Sequence, residues 1–179
     1  MTTKNMPIWR IRIELLHVKP TVWRLIDTHA SVTLSQLHQI IQAAMGWQQT
    51  HLYAFQDDSV FGGRCNSSAT LPAICQPGDT LRYVYDFGDN WEHAVVIEKA
   101  LPASAKVRYP RCVSGNNACP PEDCGGPRGY AELCRTLADR RSQYRDEIIG
   151  RLGGSFNPLA LELTEVNERL LRYPQCRIS

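Results

Sequence analysis

Between residues 8 and 16, "IWRIRIELL", apolar and polar positions alternate: Ile8, Arg10 and Arg12 fall on one side, Trp9, Ile11 and Ile13 on the other. A period of two predicts a strand with one buried face. "HVKP" turns the chain, and "TVWRLIDTH" reads as the second strand of an N-terminal hairpin, with Pro20 at its start. The period then changes. Leu34, Leu37, Ile41, Ala44 and Met45 recur at helical spacing, Thr33 and Gln36 have the form of a capping box, and Gly46 supplies a stop. "HLYAFQ" predicts a short strand, and residues 57–79, rich in Gly, Ser, Asn, Pro and Asp, predict a loop with one short strand at Val60 and Phe61.

The clearest hairpin is "DTLRYVYDFGDNWEHAVVIEKAL". Leu81, Tyr83 and Tyr85 alternate with Arg82 and Val84; on the return, Trp91, His93, Val95 and Ile97 share one face. "VRYPRCVSG" predicts a last edge strand, and "NNACPPEDCGGPRG" a loop stiffened by proline and opened by glycine. Helices are expected at about 130–139, 142–151 and 158–171, the last with Leu159, Leu163, Val166 and Leu170 as one apolar stripe. Strands come first and helices last, without βαβ alternation. That order predicts an α+β fold: a single domain with a mixed or antiparallel sheet, one helix after the N-terminal hairpin, and C-terminal helices.

At 179 residues the chain is long enough for one domain with a proper core. Its net charge of +2 is too small to argue for nucleic acid by itself. No apolar run approaches the roughly 18 residues that span a bilayer, and the N-terminus lacks the pattern of a signal peptide. A cytoplasmic protein without membrane contact is expected. Seven cysteines are an odd number, and a reducing compartment disfavours disulfides. Cys134, beside Leu133 and Leu137 in a helical pattern, reads as a small apolar side chain.

Two motifs carry candidate chemistry. In "YDFGDNWEH", Asp86, Gly88, Asp89 and Asn90 suit a tight turn: glycine for positive φ, Asp and Asn for bonds to nearby amides. His93 shares its face with Trp91 and Val95, which favours a core histidine. The functional alternative is that Asp86 and Asp89, with His93 below, act as metal ligands or acid/base groups. In the cysteine loop, Cys112, Cys119 and Cys124 are separated by six and four residues, and His93 is a possible fourth ligand for zinc. The structural alternative there is a rigid loop whose Glu122 and Asp123 bind amides near the next helix's N-terminus. Arg10, Arg12, Arg24, Arg82, Arg108, Arg111 and Arg128 are spread over strands and loops. Arg10 and Arg12, interleaved with Trp9 and Trp23, form a pattern able to face nucleic acid, although such residues more often make the solvated face of a sheet. Neither a nucleophile elbow nor a phosphate-binding glycine pattern is present.

Taken in order, "VKPTVWR", "TLSQLHQIIQAAMGW" with "HLYAF", "YDFGDNWEH", "ACPPEDCGGPRGY" and "FNPLALELTEVNERL" resemble the plasmid pRiA4b ORF-3-like protein family over about Ile8 to Leu171. The resemblance implies a roll-like α+β domain of prokaryotes, often near mobile elements, and no particular activity. The segment "FNPLALEL" departs from a more acidic stretch in the family pattern. Two functions are carried forward. One is a non-enzymatic binding or adaptor module, for a protein or nucleic-acid partner, whose polar site unites Asp86, Asp89, Trp91 and His93 with Glu122 and Asp123. The other is a metal-dependent hydrolase, possible on nucleic acid, built from the same acidic groups and His93. Both require the two motifs to meet. One strand separates them, each is stiff, and short connections leave successive elements adjacent.

Overall fold

Alternation over residues 8–15 survives in space as strand β1 (Ile8–Leu15), whose Trp9, Ile11, Ile13 and Leu15 are buried while Arg10, Arg12 and Glu14 stay half-exposed. The computed structural model describes residues 6–56 and 66–172; the strand predicted at Val60 and Phe61 lies outside them. β2 (Val22–His29) pairs antiparallel with β1, placing Ile13 opposite Arg24 and Arg10 opposite Asp27. Helix α1 (Leu34–Met45) has both bonds of the Thr33–Gln36 capping box, and Gly46 at φ 91 ends it. β3 (Tyr53–Gln56), β4 (Thr80–Tyr85), β5 (Trp91–Leu101) and β6 (Arg111–Asn116) complete a six-stranded sheet in the order β3-β4-β5-β1-β2-β6, every pair antiparallel. Helices α2 (Gly126–Ala138), α3 (Arg145–Arg151) and α4 (Leu163–Arg172) follow, so the fold is α+β. No helix among the described residues is long and apolar enough to cross a membrane.

One hydrophobic cluster joins the inner sheet face to α1 and to Tyr130, Val166 and Leu170 of the C-terminal helices. Burial of these apolar surfaces is the main force holding the layers together. Two arginines bind carbonyls at the end of α1: the buried Arg24 donates from Nε to Ala44 O (3.1 Å), and Arg169 of α4 from Nε to Ala43 O (2.9 Å). Those carbonyls have no partner within the helix, and cations suit the negative end of its dipole. α4 also covers the outer edge of β6. The Asn167 side chain accepts from Cys112 N (2.9 Å) and donates to Cys112 O (3.0 Å), imitating one more strand.

The last predicted helix is corrected. Leu159 is exposed and Leu163 partly so, leaving Val166 and Leu170 as the buried part of the expected stripe. Asn157 explains the late start: its side chain accepts from Leu159 N and its carbonyl from Ala160 N, a local turn that competes with helix. Leu161, on that turn, packs against the core instead. α2 begins earlier than expected, with Gly126 and Pro127 already in its first turn.

Candidate functional site

The β4–β5 turn is built by Asp86. Its backbone is left-handed (φ 55), its Oδ1 accepts from Gly88 N (3.0 Å) and Asp89 N (3.4 Å), and its carbonyl accepts from Asn90 N (2.6 Å). Asp86 N donates to Leu52 O (2.8 Å), which ties the turn to the segment leading into β3. One carboxylate oxygen of Asp86 thus holds the turn, and the other, Oδ2, faces away from it.

The loop at 119–126 closes over this turn. Tyr85 Oη donates to Glu122 Oε1 (2.5 Å), Gln48 N donates to the same oxygen (3.2 Å), and Trp47 Nε1 donates to Pro120 O (2.9 Å). Burial, then Glu122, pushes the Tyr85 hydroxyl up to about 12, so it remains a donor at neutral pH. Gly125 N donates to Asp89 Oδ2 (3.2 Å). Gly126 makes the approach possible: a Cβ there (φ +67) would stand 2.4 Å from Asp89 O, while one at Gly129 would meet Cys124 O of the same loop at 1.9 Å. The two motifs therefore touch, through Asp89 and Gly126 directly and through Tyr85 and Glu122 beside them.

At their junction lies a residue outside the predicted set. His51 Nε2 sits 3.0 Å from Asp123 Oδ1 and 3.6 Å from Asp86 Oδ2, and all three ligand atoms lie within 4.8 Å of one another. Nε2 is buried and has no aligned hydrogen-bond partner, although two carboxylates stand beside it. The Asp123 side chain is 75% exposed, so the cluster opens to solvent on that side. Leu52 and Phe87, next in sequence to His51 and Asp86, are large apolar residues exposed nearby. Cavities of about 350 and 470 Å³ flank the loop, the first lined by Glu122, Asp123, Cys124 and Arg151, the second by Trp47, Glu122 and Phe156 among others.

The predicted site residues divide into three groups. Asp86 and Asp123 join His51 at the surface. Asp89 and Glu122 are spent on joining the motifs. Trp91 and His93 lie beneath, both fully buried, with the Trp47 ring edge-on to His93 at 5.5 Å. His93 Nδ1 is 3.1 Å from Trp91 O, and burial lowers its pKa to about 4, so it is a neutral core histidine. The expected zinc set is corrected. His93 on β5 and Cys112 on β6 are separated by three strand spacings, about 14 Å. Cys112 instead donates to Ser114 O, burial pushes the Cys119 thiol far up, and Cys124, up to about 12, is raised first by burial and then by Asp89. Among the described residues, the group of possible metal ligands is His51, Asp86 and Asp123. Its sequence signal was weak, because His51 precedes Asp86 by a long loop; the clue was its place at the head of "HLYAF", before a strand able to pair with β4.

Comparison with known proteins agrees with the fold. Residues 7–165 match the family described as plasmid pRiA4b ORF-3-like protein. The uncharacterized protein y4hQ of Sinorhizobium fredii (strain NBRC 101917 / NGR234) is 35% identical over 172 residues, covering 89% of this chain and 88% of its own. A crystal structure of a protein of unknown function, MM3350 from Methanosarcina mazei Go1, is similar with a TM-score of 0.82 and 28% identity, over 89% of this chain and 97% of that one.

Proposed function

The chain belongs to the plasmid pRiA4b ORF-3-like protein family, and from that premise and the junction geometry we propose that it is a binding module whose site is completed by a divalent cation. His51 Nε2, Asp86 Oδ2 and Asp123 Oδ1 are the ligands. The observation that carries this reading is the unaligned, buried Nε2 between two carboxylates. Ligands at about 2.1 Å from one ion stand about 3.0 Å apart in an octahedral and about 3.4 Å apart in a tetrahedral arrangement. The separation of 3.0 Å equals the octahedral edge, and that of 3.6 Å lies just beyond the tetrahedral one, so Asp86 Oδ2 closes by a few tenths of an ångström on binding. One imidazole and two carboxylates suit Zn²⁺ or Mn²⁺. Three protein ligands leave positions for an anionic group of the bound partner, and exposed Leu52 and Phe87 offer it apolar contact.

The rigid frame supports the same reading. Asp89 and Glu122 hold the two motifs together, so the backbones that carry Asp86 and Asp123 are already side by side before binding. Titration calorimetry tests it: one Zn²⁺ or Mn²⁺ per chain, with affinity lost in His51→Ala and in Asp123→Asn while both variants keep the wild-type melting temperature. Unchanged affinity in both would refute the site. The exposure of Asp123 favours a second reading, in which an open position carries a water for hydrolysis. Cation-dependent turnover of bis(4-nitrophenyl) phosphate that disappears in Asp123→Asn would select the hydrolase; absence of turnover with intact cation binding selects the binding module.

A further inference from the structure

Far from the junction, the sheet carries a second polar construction. Asp27 of β2 is 1% exposed and is bonded on both sides by arginine: Arg10 of β1 donates from Nε and Nη2 (2.8 and 3.0 Å), and Arg111 of β6 from the same two nitrogens (3.3 and 3.1 Å). The three residues lie opposite one another across three adjacent strands. The buried carboxylate fixes both guanidinium planes and leaves their outer N–H groups uncommitted to it. Arginine has five donors, so an arginine held through Nε and one Nη still presents a fork. Both arginines open into a cavity of about 650 Å³, where Lys106 and Arg108 from the β5–β6 connection stand exposed. Against these four cations stand Asp27, which is saturated, and Glu98, which acts on Arg10 from β5. The local excess equals the whole chain's net charge of +2.

We infer that this groove binds the phosphodiester backbone of single-stranded nucleic acid. Three observations favour a strand over an isolated phosphate. The cations are distributed around a wide, open cavity rather than converging on one point. Aromatic rings adjoin them: Arg111 lies 5.9 Å from the centre of the Tyr109 ring, which meets the His29 ring edge-on at 5.4 Å. The aromatic surface also continues along the outer sheet face, where Arg12, two residues from Arg10 and paired with Glu14 at 2.8 Å, lies over the Trp23 ring at 4.2 Å. A cationic track with interspersed aromatic faces is how single strands are held without sequence preference. Trp9, in contrast, points into the core and takes no part. The groove is independent of the cation site: the β4–β5 turn and Lys99, opposite Arg10, are at the two ends of β5, about 26 Å apart.

The test is fluorescence anisotropy of a labelled oligothymidylate of about 12 nucleotides, with chelator present so that failure of the cation site cannot affect the result. Binding is expected at low salt, with log K falling against log salt at a slope of about −2 to −3 for three or four phosphate contacts. The double variant Lys106→Glu/Arg108→Glu should weaken binding at least tenfold and flatten the slope by about 1.4. Both residues are exposed, so unchanged circular dichroism and melting would show the fold intact; Lys106→Gln/Arg108→Gln, without charge reversal, should lie between. Absence of saturation by about 100 µM protein at low salt, equal affinity in the charge-reversal variant, tighter binding to duplex, or equal competition per phosphate by thymidine monophosphate would each overturn the inference.

Discussion

Replacing Gly126 with alanine tests the joint between the two motifs. The new Cβ would stand 2.4 Å from Asp89 O, about 0.9 Å inside an ordinary carbon–oxygen contact. At φ +67 an L-residue also costs about 1–2 kcal/mol. Relief of the clash must move the loop away from the turn, which stretches the bond from Gly125 N to Asp89. A bond to a charged acceptor is worth about 1.5–3 kcal/mol, and this exposed one belongs at the low end. The lower chain entropy of the unfolded alanine variant offsets about 0.4–1 kcal/mol. The net loss is about 1.5–3 kcal/mol, or a melting temperature about 3–12 °C lower for a chain of this size. Calorimetry of Gly126→Ala beside Gly150→Ala measures it. Gly150 lies in α3 with no atom near its missing Cβ, so its variant should be unchanged or up to about 1 kcal/mol more stable. A Gly126→Ala protein melting within about 2 °C of wild type would refute the tight joint.

Acid should weaken the fold through its core histidines. Burial lowers both His38 and His93 to about 4, below the ordinary value of 6.5. The unfolded chain therefore binds more protons between those values. This contribution is fully present above about pH 6.5 and is lost as pH falls toward 4, at about 1.4 kcal/mol per pH unit per histidine. Urea unfolding at pH 7 and pH 5 checks this, and His93→Gln should roughly halve the slope; equal stability at the two pH values would contradict it. Asn167→Ala should cost about 2 kcal/mol by leaving Cys112 N and O without their partner, and a denaturation midpoint equal to wild type would show that the β6 edge needs no cover. A fragment ending at residue 125 should show no cooperative heat transition, since it loses Tyr130, Val166 and Leu170 from the shared core; a cooperative calorimetric peak would mean that the N-terminal part folds as its own unit.

The strands were readable wherever one face is buried, because Ile11, Ile13 and Val95 must alternate with solvated neighbours for the sheet to close over α1. The Thr33–Gln36 cap was readable for a similar reason: its bonds are local. Local chemistry also gave the Asp86 turn. Contacts that depend on strand order were not readable. The misplaced zinc set took His93 and Cys112 as neighbours, and only the order β5-β1-β2-β6 separates them. His51 was missed because its approach to Asp86 arises from β3–β4 pairing, across a loop that periodicity cannot fold. The α4 stripe failed at Leu159 because a single Asn157 turn outweighed helical spacing. The Arg10–Asp27–Arg111 arrangement likewise needs three strands in register before its parts come together.

Anomalous diffraction from crystals soaked in Mn²⁺ or Zn²⁺ would locate the cation itself. One strong peak is expected at the junction, about 2.0–2.2 Å from His51 Nε2, Asp86 Oδ2 and Asp123 Oδ1, absent from His51→Ala crystals soaked in the same way. An ion bound instead at Cys119 or Cys124, or no peak at the junction in the wild-type protein, would contradict the proposed site.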